Sequence, residues 1–137
     1  MNPAPENNRS PISPQDAGSA QARRKPRLLD GTNLPHSAIA YEVAGDDLGG
    51  IGASVIVVDA PPSSGPLLHK HPYAEIFVVL EGQATFTAGE EVIEAVGGQI
   101  VVVPAGVPHT FVNSGTGPLR QVDIHPSGRF ITEWLED

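Results

Sequence analysis

The sequence contains no cysteine, so neither a disulfide framework nor thiolate chemistry is open to it. Any metal must then be held by His, Asp or Glu. Basic residues are scarce: eight Lys and Arg stand against sixteen Asp and Glu, for a formal net charge of −8. Dividing the chain sharpens the shortage. Residues 1–27 carry five basic and two acidic groups, a net of +3, whereas residues 28–137 carry three basic and fourteen acidic groups, a net of −11. A body this acidic repels phosphate backbones, so nucleic acid is not an expected partner. No apolar run reaches the roughly 18 residues that a membrane span requires. No basic stretch leads into an apolar segment as a secretory leader would. The expectation is a cytoplasmic protein without a membrane partner.

What is present points to a β-protein. At 137 residues the chain has room for one domain with a modest core. Fifteen glycines and fourteen prolines punctuate short apolar runs, as strands joined by tight turns require. Residues 1–27 differ: they are rich in Pro, Asn, Ser, Gln and Ala, and Ile12 is their only large aliphatic residue besides Met1. Such a segment cannot bury enough apolar surface to offset the entropy of ordering it, and it reads as a flexible, disordered N-terminal tail. Its basic cluster, Arg23-Arg24-Lys25-Pro26-Arg27, reads as a solvated charge run. Residues 28–137 form the domain. Strands are expected over 38–43, 53–59, 75–81, 83–87, 92–96, 100–103, 109–113 and 119–125, with another ending at the histidines of 69–71. No helix is long enough for a parallel α/β sheet, and some nine short strands imply a sandwich or barrel. At the end, Phe130, Ile131, Trp134 and Leu135 have a helix-like spacing. The alternative is an extended arm whose Phe130 and Trp134 pack on the barrel or on a partner.

The stretch His69-Lys70-His71-Pro72-Tyr73-Ala74-Glu75 carries the chemistry. Histidines one residue apart share a strand face, with Cα atoms about 6.5–7 Å apart, so both rings can converge on one ion. Pro72 stops the strand, because it cannot donate to a ladder. Glu75 then opens the next strand and brings a carboxylate back beside the imidazoles. Nitrogen and carboxylate donors together suit Zn, Mn, Fe, Ni or Cu better than Ca or Mg. Alone, a His-x-His pair is equally readable as two half-exposed strand residues.

The wider pattern resembles the cupin superfamily. Gly65 through His69, His71 and Glu75, followed by Gly82, is similar to the first cupin motif. Gly98, Pro104-Ala105-Gly106, His109 and Asn113 match the second at every signature position. The first motif departs once: the family's glycine six residues before the first histidine is Ser63 here, and Gly65 lies only four before it. The resemblance implies an all-β jelly-roll barrel of two facing antiparallel sheets, open at one end. It places the family's metal ligands on His69, His71, Glu75 and His109, binding one divalent transition metal (Fe, Mn, Zn, Ni or Cu). Three imidazoles and one carboxylate leave positions open for water, dioxygen or a chelating substrate.

The remaining candidates are less defined. Tyr73 either packs at the barrel rim or donates to a substrate. Gln121, Asp123 and His125 share one face of their strand, and Val122 and Ile124 the other. If Val122 and Ile124 point into the core, His125 is a surface residue; the opposite register puts three polar groups in the pocket. His36 reads as a loop residue, and Asn113 as satisfying backbone groups in its turn. Cupins host dioxygenases, decarboxylases, isomerases, epimerases, storage proteins and sensing domains, so fold alone does not choose. The intact ligand set favours a metal-dependent, dioxygenase-like oxidoreductase similar to the quercetin-dioxygenase-like cupins. It would act on a small oxygen-bearing compound, with Glu75 as ligand or proton acceptor and Ile76, Val78, Val101 and Val103 excluding water. The alternative is a small-molecule binding or sensing module. A homodimer is expected, its apolar surface supplied by Phe130, Ile131, Trp134 and Leu135.

Overall fold

The structure, a computed structural model, describes residues 25–137. Most of the expected tail, residues 1–24, lies outside the described residues. Ten strands follow: β1 (Ala40–Val43), β2 (Ser54–Ala60), β3 (His69–Lys70), β4 (Glu75–Glu81), β5 (Gln83–Ala88), β6 (Glu91–Val96), β7 (Ile100–Val103), β8 (His109–Asn113), β9 (Leu119–His125) and β10 (Glu133–Trp134). They form two five-stranded antiparallel sheets, ordered β1-β2-β9-β4-β7 and β10-β3-β8-β5-β6. Between β1 and β2, residues Gly45–Leu48 make a short 3-10 helix.

The core lies between the sheets. Val58, Phe77, Val79, Phe86, Phe111 and Leu119 are all buried there. Phe77 and Phe86 meet edge to face with ring centroids 5.0 Å apart, an arrangement that suits the ring quadrupole. The β4–β5 hairpin turns at Gly82, whose φ of 91° favours glycine. A Cβ there would also sit 2.4 Å from the Pro118 carbonyl oxygen, so no other residue fits. The loop before β3 runs equally close to β8: a Cβ on Gly65 would meet the Phe111 carbonyl oxygen at 1.8 Å. In the same loop Ser63 is the only non-glycine residue at positive φ, 72°, among the described residues. Its N–H donates to the Asn113 carbonyl at 2.9 Å.

Two open alternatives are decided and one expectation is corrected. The first concerns β9, which turns Leu119, Gln121, Asp123 and His125 inward and leaves Val122 and Ile124 half-exposed on the outer face. The pairing of Phe77 with Asp123 and of Val79 with Gln121 fixes this, because directly opposed residues share a sheet face. Second, Ile76 and Val78 lie on that outer face, and Phe77 and Val79 take the inner positions. Val101 and Val103 do point inward.

Third, the C-terminal segment is an extended arm, not a helix. Glu133 and Trp134 pair with Lys70 and His69 of β3, and the Leu135 N–H donates to the Leu68 carbonyl at 3.0 Å. Lys70 Nζ lies 3.2 Å from Glu133 Oε2, and the Leu68 N–H donates to Glu136 Oε1 at 2.6 Å. Phe130 meets the His125 ring at 5.0 Å and Trp134 meets His69 at 5.0 Å. Ile131, Trp134 and Leu135 nevertheless remain largely exposed.

A larger apolar surface lies elsewhere. On the outer face of the first sheet, Tyr41, Val57, Val122, Val78 and Ile100 stand side by side across all five strands. Val43, Val55, Ile124, Ile76 and Val102 form the next row. A charged row of Asp59, Arg120 and Glu81 bounds the band, with Arg120 3.7 Å from each carboxylate.

Candidate metal centre

Three strands and one turn bring the predicted ligands together. β3 supplies His69, the residue after it is His71, β4 begins at Glu75 and β8 begins at His109. His69 and His109 are directly paired across the β3–β8 ladder. The turn at Pro104-Ala105-Gly106 docks behind them, the Gly106 N–H donating to the His71 carbonyl at 2.8 Å. All four side chains are buried. Each offers one ligand atom, and these atoms lie within 4.8 Å of one another. Among the described residues this is the only such cluster of three or more His, Asp or Glu.

The backbone orients each imidazole. His69 Nδ1 lies 2.6 Å from the Leu67 carbonyl, His109 Nδ1 2.8 Å from Val107, and His71 Nδ1 2.8 Å from Ile131. A carbonyl only accepts, so each Nδ1 carries the donated proton and each neutral ring presents an Nε2 lone pair. Anchoring of this kind fixes tautomer and ring orientation around a metal. The lone pairs converge on an anion: Glu75 Oε1 lies 3.0 Å from His71 Nε2 and 3.1 Å from His109 Nε2. His71 Nε2 is buried without an aligned hydrogen-bond partner. A buried carboxylate facing imidazole nitrogens needs positive charge beside it, which protons on Nε2 or a divalent metal ion can supply. The donor set fits such an ion.

With protons on those Nε2 nitrogens, the imidazoles and Glu75 stabilise one another's charge. Burial alone would raise the Glu75 carboxyl, but contacts from His109, His125 and His71 outweigh it and hold it well below the usual carboxylate range. Burial pushes His69 down, with the neighbouring His109 and His71 adding to the effect. Burial also opposes charge on His71, yet its contacts to Glu75 and Ile131 raise it overall.

The inward register of β9 adds groups beyond the four. His125 Nε2 lies 3.0 Å from Glu75 Oε2, the oxygen turned away from His71 and His109, in a close contact that is not an aligned hydrogen bond. On its other side His125 Nδ1 lies 2.6 Å from the Tyr73 hydroxyl, and the Tyr73 ring stacks on His71 at 5.1 Å. Burial raises the Tyr73 phenol. Asp123 is held well above the carboxylate range, first by burial and then by the charge of Glu75, with the hydrogen bond from Gln121 Nε2 at 2.8 Å opposing. It therefore holds its proton to a higher pH than a free carboxyl does. Alternation alone could have flagged this polar face; what it lacked was the strand pairing. Asn113 satisfies backbone as expected, donating to the Ala60 and Gly117 carbonyls and accepting from the Gly115 N–H, each at 2.9 Å. His36 bridges to Tyr41 in the opening loop, its Nδ1 3.1 Å from the Leu34 carbonyl, and it too lines the cavity beside the cluster.

His69, His71 and Glu75 of the cluster line a cavity of about 380 Å³. Its walls include Ile56, Val58, Phe77, Phe111, Phe130 and Trp134, so the expected water-excluding role of Ile76, Val78, Val101 and Val103 passes to these side chains. His125 and Asp123 face the cavity, and no Lys or Arg lines it.

An uncharacterized protein of Methanocaldococcus jannaschii is 35% identical over 72 residues, 52% of this chain and 58% of that protein. An HTH-type transcriptional regulator, PuuR of Escherichia coli, is 34% identical over 61 residues, 44% of this chain and 33% of the regulator. A Bacillus subtilis oxalate decarboxylase with Mn(II) centres superposes with a TM-score of 0.69 at 20% identity, over 76% of this chain and 30% of that one. The chain thus spans less than two thirds of each of these proteins, and the likeness to the decarboxylase is one of fold. Residues 56–125, half of the chain, match the Cupin domain family, and the chain belongs to that family.

Proposed function

We propose that this cupin is a metal-dependent, dioxygenase-like enzyme acting on a small organic compound that presents one or two oxygens to the metal. The observation that carries this reading is the buried cluster of His69, His71, Glu75 and His109, anchored at each Nδ1 and opening onto a cavity. The metal-dependent oxalate decarboxylase that shares the fold supports it. His69, His71 and His109 would hold the ion through Nε2 and Glu75 through Oε1. A divalent transition metal supplies there the polarisation of substrate oxygens and, for iron or copper, access to oxygen chemistry. Glu75 Oε2, beside His125, is placed to accept a proton from a substrate hydroxyl or acidic C–H group. Asp123 faces the cavity and, in its protonated form, which burial favours, can donate a hydrogen bond to a substrate oxygen. The apolar walls keep water from competing and strengthen each of these contacts.

The test is a screen of oxygen uptake and ultraviolet absorbance against flavonols, catechols and 2-oxo acids, with each candidate metal restored. Turnover is expected with at least one metal. Glu75→Gln should keep part of the metal through the three histidines and lose about 100-fold or more of kcat, the range of a lost general base. Full activity in that variant would remove Glu75 from the proton step. A second reading, binding without turnover, draws on the likeness to the transcriptional regulator. It prevails if no metal form turns anything over while catechols or 2-oxo acids still raise the melting temperature.

We also propose a homodimer, formed through the outer face of the β1-β2-β9-β4-β7 sheet. Its two rows hold ten apolar side chains, and Ile100 and Val102 are 62% and 58% exposed. Monomers rarely leave a contiguous patch of that kind in water.

A further inference from the structure

The C-terminal arm reaches the metal cluster with its main chain. Ile131 turns its side chain largely to solvent, yet both of its backbone groups are used. Its carbonyl accepts from His71 Nδ1 at 2.8 Å, and its N–H donates to the Tyr73 hydroxyl at 3.2 Å. Directions follow from donor chemistry. The N–H can only donate, so the Tyr73 oxygen accepts it and keeps its own O–H free for His125 Nδ1, 2.6 Å away. His125 then carries its proton on Nε2, the atom 3.0 Å from Glu75 Oε2. One residue of the arm thus touches His71 directly and Glu75 through two intermediaries.

We propose that the arm, residues 129–137, is a working part of the metal centre, in which Ile131 sets the orientation of His71 and Glu75 so that metal binding and arm docking reinforce each other. The proposal rests on the metal reading above. Tyr73 and His125 are positioning residues in it: each acts through Glu75. The arm is otherwise held by a two-residue strand, the hydrogen bonds that join Leu135 and Glu136 to Leu68, a 3.4 Å contact of the Thr132 hydroxyl with His71 Nδ1, one exposed ion pair and the side chains of Phe130 and Trp134. Coupling is therefore visible in either direction. Whatever factor the docked arm adds to metal affinity, the metal must add to docking.

The exposed Arg129, at the root of the arm, makes the measurement simple. Full-length protein, metal-free or loaded with zinc, is digested with trypsin, and the cut after Arg129 is followed by mass spectrometry. The cut after exposed Arg27, remote from the site in sequence, serves as internal reference. Zinc should slow the cut after Arg129 about tenfold or more relative to the reference. Tyr73→Phe, which removes both hydrogen bonds of the hydroxyl, should lower zinc affinity about 10-fold or more, as loss of an outer partner does. It should also weaken the protection at Arg129, with circular dichroism unchanged. Equal cleavage with and without bound zinc overturns the coupling and leaves the metal reading standing. A folded Tyr73→Phe protein with wild-type zinc affinity and wild-type protection overturns it as well. Wild-type protein that takes up neither zinc, cobalt nor manganese overturns the metal reading, and the coupling with it.

Discussion

The two faces of the β1-β2-β9-β4-β7 sheet come from the same strands and could hardly differ more. Outside, Ile76, Val78, Val122 and Ile124 stand in apolar rows; inside, β4 and β9 turn Glu75, Gln121, Asp123 and His125 toward the other sheet. A rule that apolar residues go in and polar residues out would flip β9. The inner face tolerates its polar groups because they answer one another: Gln121 donates to Asp123, Tyr73 bonds His125, and His125 faces Glu75. The outer face has no such internal partner. We read the inside as arranged for metal binding and the outside as arranged for association.

The largest expected effect breaks the inner face. His71→Ala and His109→Ala should each lower affinity for a divalent transition metal by more than about 100-fold, beyond the 10- to 100-fold that outer partners cost. Competition with a chromogenic chelator would measure it, and full metal content in either variant would show the site misassigned. The outer face is broken next. Replacing both Ile100→Lys and Val102→Lys should halve the mass seen by light scattering at micromolar concentration, while far-ultraviolet circular dichroism stays unchanged. A monomeric wild-type protein would leave that face without its proposed role.

The smallest effect sharpens the comparison. Asp123 holds its proton in the folded protein to a higher pH than in the unfolded chain, so its contribution to stability falls as pH rises from about 4, the unfolded value. Asp123→Asn removes that slope while keeping an oxygen for the Gln121 N–H. In metal-free protein the variant should therefore gain a few degrees of Tm on wild type between pH 4 and neutrality, and nothing below. A parallel pH dependence of the two proteins would mean that Asp123 is ionised in the fold.

Much of this was legible without coordinates. The bounds of β4, β7, β8 and β9 coincide with the apolar runs between their turn residues, and the four residues of the buried cluster are the ones the motifs single out. The facing of β9 was not legible, because a strand that alternates perfectly supports either register, and only pairing with β4 decides. For the C-terminal segment, helix-like spacing and extended arm both stayed open, for the opposite reason. β10 is two residues long, too short to show any period, and the apolar residues around it mimic a helix. The contacts of Ile131 with the site use main-chain atoms, which leave no mark in a sequence at all.

Ser63 shows how a motif can drift while its shape persists. The family pattern has a glycine at this position, and the backbone here still adopts the conformation that glycine makes easy, φ 72°. The left-handed region costs an ordinary residue roughly 1–2 kcal/mol, and serine lies here without a glycine's exemption. What holds it there is the crossing over β8: the Ser63 N–H is bonded to Asn113, and Gly65 allows the chain to press on Phe111. Two kinds of constraint thus lie within seven residues. At His69 the letter itself is required, because nothing else presents that nitrogen. At Ser63 only the bend is required, and a search insisting on the letter would pass over a chain that has kept the bend.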